Sequence, residues 1–374
     1  MSLLSLAIFF LVIYVYFINI YGKGAGVDML QRITETRYFA VGVNPFDVMI
    51  GNTPVNPAFG IPAAYAYISY FFVAPLTFIS DQTNVIFTFA IFDIFCLFAG
   101  LFLFRKLMGL SYSIIDPFIL SIVLISILRL NHIIYLNYGI VSTFGLILTI
   151  WGIRSESVFL TVLGAVLTSL KPSLLLPLAI ALFISKKFRE FGFIVLINLL
   201  TILAVSVWVD KPAWLLIEQL QQTQYYFSNQ GFYRWEGIFL FARELIGKRT
   251  TIVGLCATIV LLFYYRKKIT TDPIILILLV ITSSLCFFYN QEHAWTMAYP
   301  ILAYGFFILR GNKYVLLPLI ILMMFMWLPS SYTYFEAQGL NYYMHIHNLA
   351  RFSLLLLATV WLVETRLNGR NTLP

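Results

Sequence analysis

Asp28 is the carboxylate whose position first suggests chemistry. It ends the stretch Gly24-Ala-Gly-Val-Asp28, directly after the first apolar run of the chain, Leu3 to Tyr21. Arg32, Glu35, Arg37 and Tyr38 follow, and then Gly42-Val-Asn44-Pro45-Phe46-Asp47, where the Asn-Pro step favours a turn. A carboxylate at the edge of an apolar run, with its neighbours fixed by a turn, is placed to meet a substrate tethered to a lipid. The same position also suits a carboxylate that only begins a surface helix, because the N-terminal dipole favours negative charge. Arg37, Asn44 and Asp47 are the other candidates for substrate contact in this segment. Farther along, Lys171 sits between two unusually short apolar halves, 157 to 170 and 174 to 185. Its ammonium either meets an anion there or snorkels along its own stem toward water.

A second polar stretch, 210 to 250, holds Trp214, Gln219, Gln221, Gln222, Gln224, Tyr225, Tyr226, Asn229, Gln230, Tyr233 and Trp235. Amides bond hydroxyls and aromatic faces cover the C–H faces of a sugar, which makes Tyr225, Tyr226 and Trp235 candidate sugar contacts. An interfacial aromatic belt has the same composition. The chain contains no Asp-x-Asp, the arrangement that commonly carries a divalent ion to sugar-nucleotide or lipid-pyrophosphate donors. In His345-x-His347 two residues two apart on a helix point away from each other, and no third ligand is evident, so no metal and no cofactor are expected. Cys96, Cys256 and Cys286 lie inside apolar runs without C-x-x-C spacing and read as packing residues.

The elements that must hold these residues are apolar helices. Of the 374 residues, 61% are apolar and only 11% charged, and the mean hydropathy is +0.89. A water-soluble surface cannot be built from that composition, and runs of the length a ~30 Å bilayer core requires recur along the chain. The first run lacks a basic leader and a small-residue cleavage site, so it is expected to be a retained helix. The formal charge of +8 falls in small groups at the ends of apolar runs: Arg105/Lys106, Arg154, Lys186/Lys187/Arg189, Arg266/Lys267/Lys268, Arg310/Lys313 and Arg366/Arg370. That distribution orients helices against a membrane and argues against nucleic acid.

If every basic group faces the cytoplasm, consecutive groups are separated by pairs of spans. The pairs are 112 to 129 with 138 to 153, 157 to 170 with 174 to 185, 192 to 209 with 251 to 265, 273 to 289 with 295 to 310, and 314 to 328 with 345 to 363. Upstream, 3 to 21 and 84 to 104 span, and the proline- and tyrosine-bearing stretch 61 to 80 is expected to lie at the interface. The fold expected is an all-α polytopic membrane protein of about 12 transmembrane helices with both termini inside. Its first outer loop, 22 to 83, would carry juxtamembrane helices. An alternative fuses 157 to 185 into one long span and lets 61 to 80 cross, which buries Lys171 at mid-membrane.

The order of first span, Asp28, Gly42-x-Asn44-Pro45-aromatic, a proline-led segment ending in Ala74-Pro75-Leu76, and later Leu170-Lys171-Pro172 with Lys186-Lys187-x-Arg189, resembles glycosyltransferase family 87 of the GT-C superfamily. The likeness covers roughly the first half of the chain, with a weaker echo at His293 to Pro300. The chain carries Tyr138-Gly139-Ile140 where the family often has Gly-Gln. The resemblance implies a GT-C-like transmembrane module over 1 to 210 and a variable C-terminal module over 211 to 374. It also implies inverting, metal-independent transfer of one sugar, mannose-like, from a polyprenyl-phosphate donor to a lipid or glycan acceptor at the outer face of the plasma membrane. Asp28 is then the general base, and Lys171 and His293 contact the donor phosphate. Asp93 and Asp116, within or near spans, keep a second class in view, a proton-coupled transporter or lipid-sugar flippase. A surface-polysaccharide polymerase is a third.

Overall fold

The computed structural model describes residues 26–50, 66–110, 122–123, 136–219, 250–288, 296–309, 313–327 and 341–368. Among them the fold is helical, with no strand. The helices are α1 Val27–Ala40, α2 Pro45–Ile50, α3 Ile68–Val73, α4 Gln82–Met108, α5 Gly139–Arg154, α6 Val158–Ser169, α7 Pro172–Ile184 and α8 Phe188–Trp208. They continue with α9 Thr250–Tyr264, α10 Pro273–Phe287, α11 Tyr299–Leu309, α12 Leu316–Trp327 and α13 Asn341–Leu367. The expected runs 3 to 21 and 112 to 129 lie outside the described residues or nearly so, and the other ten expected spans coincide with helices within a few residues.

Local chemistry sets the ends. Asp81 caps α4 by accepting from Thr83 N at 2.7 Å, and Gly109 closes it in the left-handed region at φ 75. Ser157 caps α6, and Asp272 with Pro273 opens α10. Of the 61 to 80 stretch, residues 66 to 80 are described, and they form α3 and a 3₁₀ turn Ala74–Phe78.

Central to the bundle is α10, whose residues from Ile274 to Cys286 are all buried. A helix that is apolar all round belongs inside, and α10 touches α4, α5, α7, α9, α11 and α13. Helices α5 and α6 pack backbone against backbone. Gly145, Gly152 and Gly164 have no space for a Cβ, because the partner backbone lies against each of them. Their contacts keep one antiparallel register: Gly152 with Thr161, Thr149 with Gly164, Gly145 with Thr168.

Contacts between helix ends sort the bundle into two poles. Arg154 donates to Leu107 O at 3.1 Å, Lys106 lies over Trp151, and Arg105 lies over Phe307, which joins the ends of α4, α5 and α11. Arg366 on α13 pairs with Asp272 and lies over Tyr304, and α7 reaches the turn Arg266–Ile269. Arg105, Lys106, Arg154, the Arg266–Ile269 segment and Arg366 therefore gather at one pole. At the other pole Gly26 packs on Ile86 in the first turn of α4, and Trp208, ending α8, donates to Phe39 O at 2.6 Å.

Helices α6 and α7 break at Leu170-Lys171, so 157 to 185 is a bent hairpin and not one long helix. With 12 and 13 residues, each rises only about 18–20 Å. Among the described residues two helices, α4 and α8, are long and apolar enough to cross a membrane on length and composition alone.

Candidate active site

Helix α1 lies across the pole opposite the basic groups, against α3 and the 3₁₀ turn, with its start on α4. Gly26 precedes it in the left-handed region, φ 82, and a Cβ there would stand 2.9 Å from Ile86. Glycine thus allows the chain to enter α1 at close contact with α4.

Asp28, Arg32 and Glu35 recur at the i, i+4, i+7 interval and share one face of α1. Asp28 is half-exposed in the first turn; Arg32 and Glu35 are buried at 3% and 1%. They form a direct ion pair, and Gln31 Nε2 donates to Glu35 Oε1 at 3.0 Å. Burial pushes the Glu35 carboxyl above its usual range even though Arg32 pulls it down. Tyr70 of α3, fully buried over the same face, has its hydroxyl pushed well up by burial, with the Glu35 charge adding to the shift, and remains a proton donor.

Lys171 comes from the α6–α7 turn and arrives in the same place. It is 8% exposed, and burial pushes its ammonium down to about 8 while the nearby Asp28 carboxylate pulls the other way. The sequence places these two residues far apart, and the hairpin brings the cation under the start of α1.

The remaining candidates lie elsewhere. Arg37, nine residues beyond Asp28, falls on the opposite side of α1, is exposed, and reaches Ile79 O at 3.5 Å. Asn44 is buried: its Nδ2 donates to Gln219 Oε1 at 2.7 Å and its Oδ1 accepts from Phe46 N at 3.1 Å. Asp47 pairs with Lys211 and accepts from Gln219 Nε2 at 2.6 Å. Asn44 and Asp47 clasp the first polar segment to the start of the second. A small apolar cluster of Phe39, Phe46, Tyr67, Tyr70, Val205, Val209 and Leu216 backs the clasp. His293, Tyr225, Tyr226 and Trp235 lie outside the described residues, as does Asp116. Among the described residues, no three His, Cys, Asp or Glu side chains gather closely enough to hold a metal.

The arrangement joins a partly exposed carboxylate, a buried lysine near it, and a buried ion pair on the same helix face. Arg32 and Glu35 were not singled out in the sequence, and their spacing of four and seven residues from Asp28 is the signal that could have found them. The arrangement can accept a proton at Asp28 and offset negative charge at Lys171. No family model matches the chain, and neither a curated protein nor a solved structure matches it.

Proposed function

We infer that the protein is a polytopic membrane glycosyltransferase that moves one sugar from a polyprenyl-phosphate donor to an outer-face lipid or glycan acceptor. The observation that carries this reading is a lysine, Lys171, buried at the α6–α7 turn near the Asp28 carboxylate, at the pole opposite the basic groups. In a plasma membrane with the basic pole in the cytoplasm, that site faces outward, where lipid-linked donors and acceptors meet.

The membrane part of the reading is supported by the bundle's apolar exterior. Helix α8 exposes Val195, Leu196, Leu199, Leu200, Leu203 and Val207, the last at 84%, and α4, α9, α12 and α13 add Phe95, Val260, Leu317 and Leu357. Apolar surface this extensive calls for a lipid or protein covering. The short α6–α7 hairpin then stands as a wedge that carries Lys171 to the outer side of the bundle without an intact span on either arm.

In the reaction, the acceptor oxygen attacks the anomeric carbon and its proton passes to Asp28 as the new C–O bond forms. The bond from the anomeric carbon to the phosphate oxygen breaks in the same displacement. Its electron pair leaves with the polyprenyl phosphate, whose charge Lys171 offsets. One displacement inverts the anomeric centre. The partners are the lipid-linked donor and the acceptor, and no cofactor enters the scheme.

The test is incubation of purified protein with radiolabelled polyprenyl-phosphate sugars and membrane extract. Transfer of label from at least one donor to a lipid or glycan is expected; label retained on every donor would sink the reading. A proton-coupled lipid-sugar transporter is the second reading, favoured by Asp93, a carboxylate fully buried within α4. In that case Asp93→Asn would abolish proton-driven uptake into vesicles while Asp28→Asn would not.

A further inference from the structure

Serine and threonine side chains inside these helices habitually bond back to the preceding turn. Thr149 donates to Gly145 O at 2.9 Å, Thr161 to Ser157 O at 2.9 Å, Thr168 to Gly164 O at 2.8 Å and Ser169 to Ala165 O at 2.8 Å. The first turn of α5 breaks the habit. Ser142 Oγ and Thr143 Oγ1 are fully buried and have no hydrogen-bond partner among the described residues. Asn137, just before the helix and 2% exposed, has an Nδ2 in the same state. Its orientation is fixed, because Oδ1 accepts from Gly139 N at 2.6 Å and a flipped amide would set donor against donor. The amide N–H groups of Asn137 are therefore the ones left over, beside the positive end of a 16-residue helix.

The α5–α6 register says what faces this turn. Gly152, Thr149 and Gly145 meet Thr161, Gly164 and Thr168 in constant step. Carried one step past the end of α6 at Ser169, the same register sets Ser142 against the Leu170-Lys171 turn. A buried donor without an acceptor is costly and is retained where a ligand supplies the acceptor. Donors at a helix N-terminus beside a buried ammonium suit an oxyanion.

We propose that the first turn of α5 is the cradle of an oxyanion, the phosphate of a phosphorylated lipid, held by Asn137 Nδ2, Ser142 Oγ and Lys171. The identification of the phosphate as that of the sugar donor rests on the transferase reading; the cradle itself does not. It sets Asn137 and Ser142 as binding residues beside Lys171 and leaves the proton transfer to Asp28.

The experiment measures binding, not transfer, on the full chain in nonionic detergent by titration calorimetry. The probes are decyl phosphate, inorganic phosphate and uncharged decanol. Ser142→Ala removes one hydroxyl from a helix interior, and Asn137→Asp keeps the oxygen that caps α5 while replacing the donor by a carboxylate. Wild type is expected to bind decyl phosphate, with affinity falling about tenfold in Ser142→Ala and about a hundredfold in Asn137→Asp. Ser142→Ala, which removes an unanswered buried hydroxyl, should melt no lower than wild type, and decanol should not separate the three proteins. Inorganic phosphate following the same ranking identifies the oxyanion alone as the ligand; sensitivity confined to decyl phosphate identifies the lipid phosphate. Wild-type affinity in both variants, or no binding of either phosphate by wild type, overturns the proposal. Should Asn137→Asp fail to fold, Ser142→Ala decides alone. Variant-sensitive binding in a chain that transfers no sugar keeps the cradle and removes the transferase reading.

Discussion

The two poles of the bundle use their polar groups in opposite ways. At the basic pole the partly buried charges are matched. Asp272 takes both a capping bond from Ile274 N and the Arg366 guanidinium, Glu364 accepts from Tyr265 at 2.7 Å, and Arg154 closes on Leu107 O. At the α1 pole, Lys171 is buried next to a half-exposed carboxylate, and Asn137 and Ser142 keep donors that no protein group answers. Matched groups hold helix ends together and need nothing else. Buried groups without an answer lower stability by about 1–3 kcal/mol each, so the cluster of Asn137, Ser142 and Thr143 at the start of α5, set against the isolated Ser185 at the end of α7 and Ser283 within α10, marks the place where a ligand completes the structure.

Asp28→Asn is the strongest way to break this contrast. Asparagine is nearly isosteric and leaves the start of α1 intact, but it cannot take the acceptor's proton. Transfer should fall by about 10² to 10⁴, whereas removal of a helix-terminal charge alone would change stability by only about 0.3–1 kcal/mol. Asp47→Asn is the control, since Asp47 serves the clasp with Lys211 and Gln219. Measured rates that are near normal for Asp28→Asn, or lower for Asp47→Asn, would take the base away from Asp28.

Arg32→Met comes next in size. It leaves Glu35 buried without its guanidinium, and breaking such a pair destabilises by about 3–5 kcal/mol. Because burial already raises the Glu35 pKa, the native state holds a proton in the window just above the ordinary carboxylate range that the unfolded chain has lost. Stability therefore declines as pH rises through that window, and more so in Arg32→Met, where nothing opposes the upward shift. The double variant Arg32→Met/Glu35→Gln should recover much of the loss in a thermal melt. A double variant as unstable as the single one would mean that the pair does more than satisfy itself.

Much of this was legible in the chain. Capping residues Asp81, Ser157 and Asp272 and the Lys171-Pro172 break sit where helix ends fall, because local hydrogen bonding and proline geometry act within a few residues. Asp28 and Lys171 stood out as charges at the edges of apolar runs. Arg37 was singled out in the linear sequence and Arg32 was not, but the helical period sends Arg37 to the other side of α1 from Asp28. The clasp of Asn44 on Gln219 joins residues 175 apart, and no local signal predicts such a pairing. The donors of Asn137 and Ser142 were also invisible, because lacking a partner is a property of packing. The glycines of α5 and α6 were the sole hint of how closely that turn is enclosed.

Lys171 gives a pH test in which function and stability move in opposite directions. Its folded value, about 8, lies below the ordinary lysine range, so between the two the native state has released a proton that the unfolded chain keeps. Stability on this account rises with pH across that window. Phosphate affinity should do the reverse, falling up to about tenfold per pH unit above 8 as the ammonium is lost. Lys171→Met should bind weakly at every pH and lose this dependence. A wild-type affinity that stays flat from pH 7 to 10 would assign Lys171 to snorkelling.

Asp272→Asn should have the smallest effect, and for that reason it sharpens the comparison most. Asp272 stands at the matched pole, where its carboxylate and the Arg366 side chain are each 21% exposed. Asparagine retains an oxygen able to cap α10 by accepting from Ile274 N, so the helix start should survive. The charge pair is lost, but Arg366 remains over the Tyr304 ring at 5.9 Å and can still reach water. Partly exposed pairs contribute about 0–1 kcal/mol, well under the cost expected for Arg32→Met. Donor binding and transfer should be unchanged, because the substitution lies at the far pole from Asp28 and Lys171. A melting-temperature loss as large as that of Arg32→Met, or weakened phosphate binding, would show that the poles are energetically joined and that the separation into a matched end and a ligand-completed end is wrong.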